Sequence, residues 1–133
     1  MKGKSLNGST YGFQLTIKEL LNGPRLNAQN QEIVYRDKMR YTYKDLFKRI
    51  NRLGSALTGL GIGKGSTVAV FDYDSHRYLE CFFGIPMVGA TLFTVNWRLS
   101  PDQIEYTINH AGADAIFINT DFLPLLASIR GKL

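Results

Sequence analysis

One arginine in this sequence has the surroundings of an anion-binding residue. Arg98 follows the apolar run 91–95 and Asn96, and it stands just before a predicted helix that begins at Pro101. A guanidinium group can hold a phosphate through two parallel hydrogen bonds, and a helix start adds free N–H groups and the positive end of a dipole. Two interpretations of Arg98 stay open from the residues alone, an anion-binding role and a structural salt bridge.

The other side chains that could do chemistry favour structural roles. Asp72 and Asp74 follow a predicted strand and could lie at a cleft, but a solvated loop is the stronger expectation. His76 and His110 lack partners at metal-ligand spacing, so no metal site is predicted. Cys81 stands among apolar residues and is expected to be buried as a small hydrophobe. No serine has the G-x-S-x-G context of a hydrolase nucleophile, and no catalytic residue is predicted.

The glycine-rich segment 59–66 is predicted to be a turn between two elements rather than a phosphate-binding loop. Thr58 stands where a Walker A motif requires its first glycine, and Gly65 follows Lys64 where the motif requires serine or threonine. The order of elements is also helix then strand, so no helix N-terminus faces the segment. A stand-alone nucleotide-binding protein is therefore disfavoured.

Three short apolar runs, separated by segments with helical periodicity, are typical of buried parallel strands. The predicted strands are residues 68–71, 91–95 and 115–118, and the predicted helices between them are residues 75–87 and 100–110. Ser100, Pro101 and Gln103 have the types expected at a capped helix start. Pro86 is expected to kink its helix or to end it one turn early. The pattern predicts an α/β fold, a mostly parallel, Rossmann-like sheet with crossover helices, in which ligands bind where the second strand ends.

The residues before the sheet predict a β-hairpin and a long helix. Residues 32–36 and 39–41 read as two strands, with Asp37 and Lys38 as the turn. The long helix covers residues 43–60, with Thr42 as its N-cap and an apolar face at positions 46, 47, 50, 53, 57 and 60. Gly61 is placed to end this helix in a left-handed conformation.

The sequence predicts one short helix near each end of the chain. A short helix over residues 15–21 is expected to end at Asn22, Gly23 and Pro24. A last helix is predicted over residues 121–129, and residues 1–14 are expected to be flexible.

Composition indicates one globular domain over residues 1–133. The sequence is 44% hydrophobic and 12% aromatic, and no apolar run approaches the roughly 18 residues that a transmembrane helix needs. The single cysteine cannot form an internal disulfide, and a cytoplasmic location is expected. The net charge of +5 comes largely from both termini and from one helix, at positions 44, 48, 49 and 52, where a solvated face is expected rather than a nucleic-acid site.

A series of short segments resembles, in order, the opening part of adenylate-forming (AMP-binding) enzymes. It begins with Tyr41-Thr42-Tyr43-Lys44-Asp45-Leu46 and continues through residues 51–53, 56–57, 60–62, 65–70, 89–90, 96–104 and 106–113. Together these segments resemble the acyl-CoA synthetase branch, and Ile85-Pro86-Met87-Val88-Gly89-Ala90 is similar to medium- and long-chain fatty-acid ligases. The similarity extends over nearly all of the chain from Ile17 onward.

The resemblance implies an enzymatic activity that requires other segments of the family's sequence in addition to these residues. The full enzyme is expected to use ATP and Mg²⁺ to convert a fatty acid to an acyl-adenylate, and then to transfer the acyl group to coenzyme A (CoA). The family's phosphate loop and catalytic lysine are not among these 133 residues, so the chain is expected to be an N-terminal subdomain that is inactive without the remainder of the ligase.

By the same resemblance, Arg98 takes the place of an arginine that approaches the CoA nucleotide phosphate, with Asn96 as a second candidate contact. Trp97 stands where many relatives have proline. The alternative function is an interaction or dimerisation module, with a homodimer of this chain as the form of association considered.

Overall fold

The computed structural model describes residues 16–133, and within them the predicted α/β class is confirmed. A two-stranded antiparallel hairpin is made by β1 (Glu32–Tyr35) and β2 (Met39–Thr42). A separate, wholly parallel sheet is made by β3 (Thr67–Phe71), β4 (Thr91–Thr94) and β5 (Ala115–Ile118), in the order β4-β3-β5. The predicted flexibility of residues 1–14 lies outside the described residues.

The parallel sheet is covered by helices on both faces. The helices are α1 (Asn22–Asn27), α2 (Tyr43–Gly59), α3 (His76–Met87), α4 (Pro101–Ala111) and α5 (Leu123–Ile129). Val68 and Val70 of β3 pack with α2 and α3, while Ala69 and Phe71 pack with α4 and α5. Strand side chains alternate between faces, so every residue from Val68 to Phe71 is buried and the strand reads as one apolar run.

The strand order creates a reversal of direction beside the central strand. From β3 the chain passes over one face through α3 to β4, and then over the other face through α4 to β5. The crossovers therefore diverge between β3 and β5, which makes the carboxyl ends of these two strands the topological switch point. The sequence analysis placed the ligand edge at the end of β4, on the other side of the central strand.

Helix α2 forms as predicted because its signals are local. The Thr42 hydroxyl accepts a hydrogen bond from the Asp45 N–H at 3.3 Å, and the Asp45 carboxylate accepts from Thr42, which completes a capping box. Gly61 adopts φ +77°, as expected for a left-handed cap. The prediction that Leu60 belongs to the apolar face is wrong. Leu60 follows the last helical residue, and its side chain is 70% exposed.

Two helices do not end where a nearby proline was predicted to end them. Helix α3 runs through Pro86 to Met87 and ends there in a turn closed by the N–H of Gly89 to the carbonyl of Pro86 at 3.0 Å. A proline this close to the end removes one hydrogen bond without blocking a following turn. The first helical segment also continues, from a 3₁₀ turn at Ile17–Leu21 into α1. Pro24 lies in the first turn of α1, where an N–H has no intrahelical partner.

Of the last two helices, α4 follows its predicted cap and α5 begins later than predicted. Helix α4 begins at Pro101, with Ser100 as N-cap and Gln103 completing a capping box, and Gly112 ends it at φ +59°. The last predicted helix begins later than expected, because a 3₁₀ turn at Thr120–Phe122 precedes α5. No helix among residues 16–133 is both long and apolar enough to cross a bilayer.

Candidate functional site

The carboxyl ends of the three parallel strands each lead into polar residues. Asp72 follows β3, Asn96 lies two residues after β4, and Asn119 follows β5. Parallel strands bring these positions to one edge of the sheet, where open α/β folds bind ligands. The candidate site is this edge, with Arg98 at its β4 end.

Arg98 is exposed and is held against an aromatic ring. Its guanidinium carbon lies 4.4 Å from the centroid of the Trp97 ring, within the range of a cation–π contact. Trp97 is fixed by Tyr73, at 5.3 Å between ring centroids, and by Phe122, at 6.0 Å. Trp97 therefore anchors the loop in an aromatic cluster.

The second interpretation of Arg98, a structural salt bridge, is not seen in the structure. Among residues 16–133 its guanidinium makes no salt bridge and no side-chain hydrogen bond. The stacking on Trp97 leaves the edge of the planar group, which carries the N–H donors, available to an anion.

Asn96 has a structural task in the same loop. Its side-chain oxygen accepts a hydrogen bond from the backbone N–H of Arg98 at 3.1 Å, and its carbonyl accepts from Leu99 at 3.3 Å. This is an Asx turn, which fixes the backbone on which Arg98 stands. The α4 start offers less than expected, because the Gln103 N–H is taken by Ser100 and Pro101 has no N–H.

Arg98 faces a pocket of about 210 Å³ that also contains carboxylates. Asp72 and Asp74 line it together with Tyr78 and residues 94–98. Asp74 is exposed, with φ +51°, as a solvated loop residue would be. The pocket thus combines one unpaired guanidinium with an acidic side, which suits a ligand that has both an anionic group and hydrogen-bond donors.

The expectation of a solvated loop is wrong for Asp72. Its carboxylate is partly buried and accepts hydrogen bonds from the Tyr73 N–H at 2.8 Å, from the Asn119 amide at 2.7 Å and from the Ser75 hydroxyl. Burial raises the pKa of the Asp72 carboxyl, but these donors and the nearby Arg77 outweigh it and hold the pKa below its ordinary value. Asp72 therefore ties the end of β3 to the end of β5.

The switch point itself contains a second, smaller pocket. It measures about 130 Å³ and is lined on one side by Asp72 and Asn119 and on the other by Cys81 and Phe117. Burial raises the pKa of the Cys81 thiol to about 12, so it stays protonated and acts as the predicted buried hydrophobe. Sequence reasoning missed Asn119, although it is a polar residue placed directly after an apolar strand, as Asp72 is.

The two histidines lie apart. His110 stacks on Tyr106 on the exposed side of α4, whereas His76 starts α3 and packs against Tyr35 and Tyr41. Across residues 16–133 no three histidine, cysteine or acidic side chains come together as metal ligands.

The fold and this edge place the chain in the class of open α/β proteins, which bind ligands at strand ends. Comparison with known proteins identifies the family. Residues 25–132 match the model of the AMP-binding enzyme family. The chain is 42% identical over 94 residues to a long-chain-fatty-acid–CoA ligase of Thermus thermophilus, a match that covers 71% of this chain and 17% of the relative. The chain belongs to the AMP-binding enzyme family.

Solved structures agree with this assignment. The anthranilate CoA ligase AuaEII, in complex with anthranoyl-AMP, superposes with a TM-score of 0.80 at 30% identity over 86% of this chain and 22% of that one. The N-terminal domain of FACL13 from Mycobacterium tuberculosis superposes with a TM-score of 0.67 at 28% identity, over 71% of this chain and 24% of that one. The resemblance to acyl-CoA ligases is confirmed, and the chain spans about a fifth of the length of the relatives it matches.

Proposed function

We propose that these residues form the N-terminal part of an ATP-dependent fatty acyl-CoA synthetase. The single observation that carries the proposal is the family match over residues 25–132, and the fatty-acid and CoA ligases among the relatives support the substrate class. The reaction joins a fatty acid and ATP into an acyl-adenylate with release of pyrophosphate, assisted by Mg²⁺, and then transfers the acyl group to the thiol of CoA.

Within that reaction, Arg98 binds the phosphate on the nucleotide of CoA. Its exposed guanidinium, stacked on Trp97 and free of salt bridges in the described part of the chain, supports this role because a phosphate needs N–H donors that are not already engaged. Asn96 acts as a positioning residue, since its side chain fixes the backbone of Arg98.

The role of Arg98 can be tested by tryptophan fluorescence, because Trp97 is the only tryptophan of the sequence. A titration with CoA should change the Trp97 emission as the phosphate draws the guanidinium away from the ring. Arg98→Gln should weaken CoA binding about tenfold, the equivalent of about 1.4 kcal/mol.

Two controls make this experiment specific. Dephospho-CoA, which lacks the nucleotide 3′-phosphate, should bind Arg98→Gln and the unaltered chain equally. Arg52→Gln removes an equally exposed cation from α2 and should leave CoA binding unchanged. Equal CoA affinity in Arg98→Gln and the unaltered chain would refute the assignment.

The 133 residues taken alone are proposed to be inactive as a ligase. The resemblance locates the phosphate loop and the catalytic lysine in other segments of the family, so no group here is expected to promote adenylation. Purified chain supplied with ATP, Mg²⁺, CoA and a fatty acid should release no pyrophosphate above a heat-treated sample. A substrate-dependent release that survives repurification would contradict this proposal.

An interaction or dimerisation module is the second candidate. It is favoured by large apolar side chains that remain exposed on the first helical segment, with Leu20 at 63% and Leu26 at 72%. A surface of this kind suits a second copy of the chain or the remainder of a ligase.

A further inference from the structure

A basic pocket lies between the hairpin, α2 and α3, next to the Arg98 pocket but lined by other residues. It measures about 450 Å³, and its lining includes three cationic side chains from three different elements. Lys38 comes from the hairpin turn, Arg49 from α2 and Arg77 from α3. None of the residues that line it also lines the Arg98 pocket.

Two carboxylates close to this pocket, Glu80 and Asp72, are already engaged by hydrogen-bond donors. Glu80 is only 7% exposed and accepts a hydrogen bond from Arg49 Nε at 2.6 Å. That contact uses one nitrogen of the guanidinium and leaves the two terminal nitrogens of Arg49 available. Asp72 is bound by Ser75 and Asn119, two residues that line the pocket, so its charge is held behind them.

The other two cations of the pocket are without ionic partners. In the described part of the chain neither Lys38 nor Arg77 makes a salt bridge, and both are exposed. Three cations thus line one volume, with Glu80 bonded to Arg49 and the partly buried Asp72 near Arg77. A cluster of cations of this kind attracts an anion.

Two buried polar atoms beside the pocket, one of them on the lining residue His76, have no hydrogen-bond partner in the described part of the chain. His76 packs against Tyr35 at 5.6 Å and Tyr41 at 6.2 Å between ring centroids. The buried His76 Nδ1 and the hydroxyl of Tyr41, a residue that is 7% exposed, make no hydrogen bond. Buried polar groups are rarely left unpaired in a purely structural site, so their presence here indicates a functional one.

We propose that this pocket binds a small phosphate-bearing anion through Lys38, Arg49 and Arg77. A phosphate carries up to two negative charges and three acceptor oxygens at neutral pH, which matches three cations on separate elements better than a single carboxylate does. The Tyr35 ring and the Met39 side chain supply an apolar wall beside the charged groups. The site goes beyond the proposed CoA contact, because it is a different pocket with different residues.

The test follows the imidazole resonances of the chain during titration with inorganic pyrophosphate at constant ionic strength. The sequence has only two histidines, so His110 on α4 serves as an internal reference for His76. A saturable shift confined to His76 is expected. Arg77→Gln and Lys38→Gln should each weaken the apparent affinity severalfold, and the double variant at least tenfold.

Three comparisons decide the result. Arg52→Gln is a matched control outside the pocket and should bind pyrophosphate as the unaltered chain does. The absence of a saturable shift at His76, or unchanged affinity in the double variant with His110 undisturbed, would overturn the proposal. Acetate that binds as tightly as pyrophosphate would also overturn it, since the pocket would then not select phosphate.

Discussion

Asp72 shows how one side chain can join two strands that are distant in the sequence. Its carboxylate accepts a hydrogen bond from the side-chain amide of Asn119, which lies 47 positions later in the chain. The backbone N–H of Asn119 also donates a hydrogen bond to the carbonyl of Phe71 at 2.9 Å. The same carboxylate accepts a hydrogen bond from the hydroxyl of Ser75, and Ser75 is the N-cap of α3. The switch point is therefore built around one partly buried charge.

Removal of the charge at this position should destabilise the fold. Asp72→Asn presents an amide where a carboxylate accepts three hydrogen bonds, and hydrogen bonds to charged groups contribute about 1.5–3 kcal/mol each. We expect a loss of about 2 kcal/mol in the free energy of unfolding, measured with urea at pH 7. Asp74→Asn, at the exposed neighbouring acid, should change this value by less than about 0.5 kcal/mol. Equal effects of the two substitutions would count against the role of Asp72.

The pH dependence of stability follows from the same contacts. The pKa of Asp72 lies below its ordinary value of 3.8 in the folded chain, so its contribution is present above pH 3.8 and is lost as the pH falls through the folded pKa. The stability difference between the unaltered chain and Asp72→Asn should therefore shrink as the pH falls below about 4. A difference that stays constant between pH 7 and pH 3 would contradict this assignment.

At the scale of elements, the contact between α2 and α3 depends on a glycine. A Cβ atom built at Gly84 would lie 2.7 Å from Cδ2 and 3.1 Å from Cγ of Leu53 on α2. These distances are far shorter than a normal carbon–carbon contact, so the two helices can approach only where no side chain intervenes. Helix α3 thereby lies close enough to α2 for Glu80 to reach Arg49.

A larger residue at Gly84 should separate the helices. Gly84→Val is expected to destabilise the chain by about 2 kcal/mol, within the range of overpacked cores, and Leu53→Ala in the same chain should restore part of the loss. Gly59→Ala is the matched control, because a Cβ there meets nothing within 4 Å. Thermal or urea unfolding measures five chains, namely the unaltered chain, Gly84→Val, Leu53→Ala, the double variant and Gly59→Ala, and purely additive effects of the two changes would disprove the direct contact.

At the scale of the whole molecule, the chain has the fold seen in CoA ligases, and part of its apolar surface is exposed. Exposed leucines remain on the first helical segment, while the sheet itself is covered on both faces. Under the proposed function, these leucines are a candidate contact surface for the remainder of a ligase.

The dimerisation alternative makes a prediction at this scale. If Leu20 and Leu26 support self-association, sedimentation should show a second species of twice the monomer mass that grows with concentration. Leu20→Lys together with Leu26→Lys should abolish that species, whereas a change of the equally exposed Leu60 to Lys should leave it in place. A single monomeric boundary at every concentration would contradict the alternative.

Structural features that depend only on neighbouring residues could be predicted from the sequence itself. The capping boxes at Thr42 and Ser100 and the left-handed glycines after α2 and α4 each depend on neighbours within one or two turns. The three parallel strands form from their own apolar runs, although only β3 is buried as predicted, because β4 and β5 flank it at the edges of the sheet. The position of Arg98 between a strand and a capped helix was predictable for the same reason. These local preferences suffice for the α/β class and for the resemblance to AMP-binding enzymes.

Only the tertiary structure decided which of the polar residues meet. The order β4-β3-β5 places the switch point at Asp72 and Asn119 rather than beside Arg98, and it depends on which face each crossover helix covers. The stacking of Arg98 on Trp97 likewise requires Tyr73 and Phe122, which come from the ends of β3 and β5. Contacts between residues tens of positions apart are selected by the packing of the whole core, and no local pattern specifies them.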